Sequence, residues 1–430
     1  MCTAESVQER LWRTVGFLRE HQGIIDCHVV DFLWDNHWQK LLPSALREEL
    51  EANAEEILKD LHTILSSNSS SAYKHLENFL TNAKQHSLSA FSGTTTLDEF
   101  LPESKASSVG LKVADFMTPK KMHEVKSAAR LISWLCSQAR KPTIVVDAGD
   151  GKGYLSSCLA FEHNLPVIGL EANADYQKSA RNRVAKLKKK WKVPEREDNY
   201  KSLAVTVTSE LRIGELSQDL FSTEQQQNFC LSGLHTCGDL AVNCLEIFTR
   251  DANVRFLCNI GCCYNLLTRF PLSHFLRNHG FTLSDKARML ACQSLNKIIA
   301  QETLPKDSLH FRALFEQMLK EKFPLRDFQQ VGKVRSDNFI DYFKLCCDKM
   351  NLNYFYTDEE LREKLTTYDR RRFDLFYVLR SSLAAAIEAV ILLDRVLHLI
   401  EECEASEVNL VEIFQPEISP RCYALVAVKK

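Results

Sequence analysis

Hydrophobic residues repeat along the chain with two different periods, and the change between them divides the sequence. Over the first hundred residues the period is helical. Leu11, Val15 and Leu18 fall on one stripe and Leu50, Ile57 and Leu61 on another, which predicts short amphipathic helices. From Leu65 to Gly110 the text breaks into SSNSSS, SGTTT and LPESKASS, the composition of a linker. A helix reopens at Thr118-Pro119, an N-cap followed by a first-turn proline, and runs apolar at Val125, Ala129, Ile132 and Leu135.

Beyond it the period becomes that of buried strands: TIVVDAGD at 143–150, PVIGLEA at 166–172, SLAVTVTS at 202–209, FCLSGLH at 229–235 and RFLCNIGCC at 255–263. Continuous apolar runs separated by helical segments are what a parallel sheet covered on both faces requires, so the fold class is a doubly wound α/β domain. A last helix at about 376–402 precedes two more strand texts, VNLVEIFQ at 408–415 and RCYALVAVKK at 421–430, close enough to pair as a hairpin and bring the total to seven. The expected division is a helical accessory region with its linker at 1–117, a Rossmann-like core at 118–264, a mainly helical insertion after strand five at 265–375, and 376–430 completing the core.

Composition narrows the class. With 45% hydrophobic and 26% charged residues the chain is ordinary for a globular protein, which excludes collagenous, coiled-coil and wholly disordered readings. Its 15 cysteines lack the spacing of a secreted disulfide scaffold and read as thiols of a reducing compartment. Glu5, Glu9, Arg10 and Arg13 stand where a signal peptide needs an apolar run, and Glu388, Asp394 and Arg395 interrupt the most apolar helix, Leu383 to Ile400. The expectation is an intracellular protein, cytoplasmic or nuclear, with no membrane span. The net charge of −2 hides an asymmetry: residues 1–117 contain 10 Lys/Arg against 17 Asp/Glu, a net of −7, and 265–375 contain 19 against 15, a net of +4.

Candidate chemistry begins at Asp147-Ala-Gly149-Asp-Gly151-Lys-Gly153, directly after the first strand and before a helix near Tyr154. Glycines let a turn pass close to a ligand, and the following helix end presents free N–H groups. The spacing is G-x-G-x-G, not the G-x-G-x-x-G of dinucleotide binders. Eighteen residues past Gly153, Glu171 ends the second strand, where a carboxylate can accept from both ribose hydroxyls. Acid, glycine spacing, strand context and second acid together form a signature of S-adenosylmethionine (SAM) binding.

The fourth strand ends in Gly233-Leu-His235-Thr-Cys237-Gly-Asp239 and the fifth in Gly261-Cys262-Cys263-Tyr264. Strand carboxyl ends face the ligand crevice of an open α/β sheet, so His235, Cys237, Asp239, Cys262, Cys263 and Tyr264 become candidate catalytic groups. Imidazole changes charge near neutral pH, so His235 could be a general base. The cysteines admit three readings: small core residues, nucleophiles or substrate contacts, or zinc ligands with His235; no metal is assigned. No Asn/Asp-Pro-Pro-aromatic loop, which grips the amine of adenine, follows the fourth strand. Lys120 and Lys121 oppose the dipole of their helix, which an anion such as a substrate phosphate or the cofactor carboxylate would offset. Nine Lys/Arg between Lys178 and Arg196, including Lys188, Lys189 and Lys190, surround Trp191 and could track a nucleic-acid backbone, though a solvated face has the same text.

At FMTPKKMHEV, VDAGDGKGYLS, GLHTCGDL, NIGCCYN, KARMLACQ and SPRCYALVAVK, in order over residues 116–428, the chain resembles the methyltransferase-like protein 25 family, which includes the ribosomal RNA adenine dimethylase domain-containing proteins. The resemblance implies a seven-stranded class I methyltransferase sheet with SAM as methyl donor, held at Asp147, Gly149, Gly151, Gly153 and Glu171. The chain is more faintly similar to tRNA 2′-O-methyltransferases, which place a Cys-Gly after the fourth strand and a Cys-Cys after the fifth. There His-His follows the paired cysteines; here Tyr264 and Asn265 do. The expected function is a SAM-dependent methyltransferase acting on a macromolecule, RNA (tRNA or rRNA) before protein, with a SAM-binding scaffold without turnover as the rival class. No feature of the sequence indicates an oligomeric state.

Overall fold

The computed structural model describes residues 2–66, 72–102, 117–191, 199–217, 220–221, 227–301, 304, 307–325, 331–403 and 406–429. Eight strands form one sheet: β1 (Thr94–Thr96), β2 (Thr143–Ala148), β3 (Val167–Glu171), β4 (Tyr200–Ala204), β5 (Asn228–Thr236), β6 (Val254–Gly261), β7 (Ser406–Glu412) and β8 (Tyr423–Lys429). Their order is β1-β7-β8-β6-β5-β2-β3-β4, and every pair is parallel except those that β8 makes with β6 and β7. The order in which successive strands are added reverses between the parallel neighbours β2 and β5, the switch point at which open α/β sheets leave a crevice above their strand carboxyl ends.

The doubly wound expectation holds, and all five central strand texts form strands. Every residue of β2 is buried, as a strand covered on both faces demands. Helices Pro119–Ser137 and Tyr154–Phe161 cover one face, joining Val125, Ile132, Leu155 and Leu159 to Val145, Cys230, Phe256 and Cys258 of the strands. Helix Asp239–Arg250 packs on β5 and β6 with Val242, Leu245 and Phe248, which lie outside that cluster. Thr118 caps the helix it was expected to start, accepting from the Lys121 N–H, with Pro119 in the first turn.

Three expectations change. The strand count is eight, because Thr94–Thr96, read as part of a linker, pairs in parallel with Leu410–Glu412 at the sheet edge; three β-branched threonines suit an edge that needs no apolar side chains. The third strand is shorter and earlier than 202–209, ending at Ala204. The last helix is two helices, Arg370–Ser382 and Ala384–Glu402. Of the expected linker, residues 67–71 and 103–110 lie outside those described.

Contacts gather the chain into two units, Met1–Gly16 with Ser87–Cys292 and Ile387–Lys430, and Phe17–His86 with Gln293–Ala386. Two helical segments far apart in sequence share one unit: the Phe32 ring meets Phe373 edge-on at 5.4 Å, and the Arg380 guanidinium donates to the carbonyls of Ile24, Ile25 and Cys27. That unit's own core joins Phe311, Phe315, Phe339, Phe343 and Leu361.

Of the three charges that interrupt the apolar run of helix Ala384–Glu402, Glu388 and Asp394 are hydrogen-bonded and Arg395 faces a ring. Glu388 pairs with Arg421 at 3.1 Å and accepts the Tyr264 hydroxyl at 2.8 Å, and the Arg395 guanidinium lies over the Tyr264 ring. Asp394 accepts from the N–H groups of Leu272 and Ser273 and from the Ser273 hydroxyl. Among the described residues no helix is long and apolar enough to cross a membrane.

Candidate functional site

The loop after β2 is built on left-handed backbone: Gly149, Gly151 and Gly153 have φ of 78°, 60° and 69°. It is tied to the end of β3, because the N–H groups of Gly149 and Asp150 both donate to the Leu170 carbonyl and that of Gly151 donates to Glu171 at 2.9 Å. The other Glu171 oxygen accepts from the Asn173 N–H at 2.8 Å. A carboxylate offers about four acceptor positions, so two backbone donors leave each oxygen able to take a hydroxyl. A Cβ on Gly151 would meet nothing nearer than the Gly149 carbonyl at 3.8 Å, so open space lies in front of the loop. Left-handed glycines, free space and a partly exposed acceptor carboxylate fit an adenosyl cofactor, which Gly149, Gly151, Gly153 and Glu171 would hold.

Asp147 lies under the loop, not on its open side. Its carboxylate is buried beneath the loop and accepts the Ser156 hydroxyl at 2.8 Å, with burial pushing its pKa up. From below it braces the backbone of the loop. Asp150, which spacing did not single out, is buried beside it and accepts the Tyr200 hydroxyl; burial raises its carboxyl to about 6. Arg183 belongs to the basic run by sequence, yet it is buried: it donates to the Gly153 carbonyl and Ser157 hydroxyl and stacks on Tyr154. Its helix places it on the inward stripe with Ala180, Val184 and Leu187.

At the end of β5 the pairing with β6 slips between Leu234 and Thr236, leaving His235 in the left-handed region with φ of 69°. Such a bulge re-aims a side chain. The His235 ring meets Glu124 of helix Pro119–Ser137, Nε2 to carboxylate, at 3.0 Å. Glu124 also takes Lys121 at 2.9 Å, Lys120 at 3.8 Å and the Ser419 hydroxyl at 2.7 Å. The anion facing the two lysines is thus supplied by their own helix one turn on. Burial opposes the charge on Glu124, but the bonds from His235, Lys121 and Ser419 outweigh it and hold the carboxyl at about 2. An ionised carboxylate only accepts, so Nε2 of His235 carries the proton of this bond, and in the neutral ring Nδ1 is the nitrogen with the lone pair. This is the arrangement of a general base oriented by an acid.

Linkage gives a test of that charge. Because the folded carboxyl lies below its ordinary 4.5, Glu124 contributes stability that is complete above that pH and is lost as the pH falls toward 2. The stability gap between the native protein and Glu124→Gln should therefore shrink over this window in denaturant titrations. A gap that does not change with pH would contradict the assignment.

Cys237, Cys262 and Cys263 converge: Cys237 Sγ lies 3.2 Å from both other sulfurs, which are 3.4 Å apart. Hydrogen bonding from Cys262, with His235 adding to it, overcomes burial and pulls the Cys237 thiol down to about 6, while its partners are pushed up. The remaining two expected catalytic residues are held in other work. Tyr264 is buried with its hydroxyl on Glu388, and Asp239 accepts from Thr268 and the Arg269 N–H, latching the loop after β6. On helix Ala174–Trp191, Lys189 and Lys190 are exposed and Lys188 is half-buried, 5.9 Å from the Phe161 ring. Lys192 and Arg196 lie outside the described residues.

A family described as a methyltransferase domain matches residues 120–269, which contain the glycine loop, Glu171, Glu124, His235 and the three cysteines. Along its length the chain is similar to proteins named probable methyltransferase-like protein 25: 25% identical to one from Homo sapiens and 27% to one from Mus musculus, each covering 99% of this chain and 97% of the relative. A solved coclaurine N-methyltransferase, bound to N-methylheliamine and SAH, covers 97% of this chain and 98% of its own at 10% identity and a TM-score of 0.25, too low to carry an argument. The domain match, the relatives along the whole chain and a sheet whose switch point carries the glycine loop together support a class I methyltransferase that takes its methyl group from SAM.

Proposed function

We propose that the methyl acceptor is RNA. The observation that carries this reading is the solvent face of helix Ala174–Trp191, where Lys178, Arg181, Lys186, Lys189 and Lys190 are all exposed and Tyr176, itself 51% exposed, offers a ring on which a base can stack. That helix starts three residues after Glu171, so the basic face leads away from the cofactor loop. The acceptor would lie over the carboxyl ends of β5 and β6, with His235 Nδ1 taking its proton and Glu124 steadying the ring as a positioning residue. SAM supplies an activated methyl group; alignment of the acceptor and removal of its proton remain for the chain.

RNA affinity should fall with rising salt through counterion release, and changing Lys188, Lys189 and Lys190 together to Glu should weaken binding and flatten the salt slope by about two to three. Filter binding over a salt series measures both. Affinity and slope unchanged in the triple variant would remove this helix from the interface and point to a protein side chain as acceptor. Mass spectrometry of RNA nucleosides from cells lacking the chain would then show no missing methyl mark.

A further inference from the structure

We propose that Cys237, Cys262 and Cys263 bind a zinc ion, with a fourth coordination position left open. The three sulfurs are mutually within 3.4 Å. In a tetrahedral site with Zn–S of about 2.3 Å the sulfurs stand about 3.8 Å apart, so small side-chain rotations bring these three to ligating separation. Thiolates select zinc, copper(I) or iron–sulfur clusters over hard cations. A cluster spaces its cysteines around a framework of several irons, whereas three sulfurs already in contact leave room for a single ion.

Core packing accounts poorly for these residues. Cys158, Cys230, Cys244 and Cys258 are fully buried and serve as small apolar side chains, while Cys237, Cys262 and Cys263 are only partly buried at the strand ends. Two loops hold them in register. The Gly238 N–H donates to the Cys263 carbonyl at 3.3 Å, and the Thr236 hydroxyl bridges to Asn259 and Ile260. Gly238 has φ of 55°, and a Cβ there would come within 2.5 Å of the Leu266 carbonyl oxygen, so the loops approach as closely as only glycine permits. Ligands fixed on strand ends in this way are preorganised.

The fourth position stays open because neither nearby donor fills it. The His235 ring is turned to Glu124, and Cys292 lies outside the three-sulfur group, directing its thiol to Asn265 Oδ1 at 3.4 Å and to the Cys262 carbonyl at 3.9 Å. Three protein ligands and one open place are the pattern of zinc sites that admit a water or a reacting atom. This site stands without the RNA reading, since its readout is metal.

The full-length protein, purified without chelator, should contain about one zinc per chain by elemental mass spectrometry. Cys237→Ser and Cys262→Ser should each lose it, and Cys292→Ser should keep it. Should the serine variants fail to fold, the chelated native protein decides: cobalt(II) should produce a thiolate-to-cobalt charge-transfer band, and zinc should protect the three cysteines from alkylation, read by peptide mass spectrometry. The proposal is overturned by native protein that neither contains zinc nor gives the band, by zinc retained in both folded variants, or by a Cys237–Cys262 disulfide under cytosolic reducing conditions.

Discussion

Gly151→Val should weaken SAM binding at least about a hundredfold, close to 2.7 kcal/mol. Two effects add. Gly151 sits at φ of 60°, where a β-branched residue is an outlier, and its N–H must still reach Glu171, so valine disturbs the bond that orients the acceptor carboxylate. The new side chain would also enter the open space in front of the loop, since the nearest protein atom to a Cβ there is 3.8 Å away. Gly151→Ala, carrying the backbone cost of about 1–2 kcal/mol without the branch, should fall between the two. Calorimetric titration with SAM, with thermal melting to confirm folding, measures the series. A folded valine variant binding SAM normally would sink the loop as the cofactor site.

His235→Asn should reduce kcat by about 10²–10⁴ while leaving SAM affinity nearly unchanged. Asparagine is chosen because it tolerates the left-handed backbone that His235 adopts, so the loss reports on the ring and not on strain. Its shorter side chain ends where Nδ1 stands, so it gives up the Nε2 bond to Glu124 and offers no imidazole lone pair to an acceptor proton. Glu124→Gln should lower kcat less, because a neutral amide holds the ring in no fixed tautomer. Undiminished turnover by His235→Asn would leave the His235–Glu124 pair a structural tie between β5 and helix Pro119–Ser137.

How far the chain could be read follows from which signals are local. Strands β2, β3, β5 and β6 are buried on both faces, so their apolar runs mark them without ambiguity, and glycines forced into left-handed backbone stand out wherever they occur. β1 escaped because a three-residue edge strand of threonines has no apolar run to show. The pairing of Phe17–His86 with Gln293–Ala386 escaped because an amphipathic stripe declares that it needs a partner without naming one. Glu124 and His235 are 111 residues apart, and their meeting depends on a one-residue bulge that no periodicity reveals. Arg183 was misplaced for the opposite reason: charge suggested solvent, while its position three residues past Ala180 and one before Val184 put it inward. The cysteines could be proposed as a cluster, since neighbouring strand ends must converge, but sulfur separations belong to the folded chain alone.

The position of β8 governs how the sheet can be completed during synthesis. β8 lies between β6 and β7, hydrogen-bonded to both, yet it begins at Tyr423, long after β6 ends at Gly261. A ribosome adding roughly 5–20 residues per second leaves the outer edge of β6 unpaired for about 10–30 s. During that interval the backbone groups of Phe256 to Asn259 present an apolar strand edge to any other nascent chain. Folding of this unit is consequently non-local and slow for its size, and chains stopped short of β8 should be captured by chaperones or aggregate.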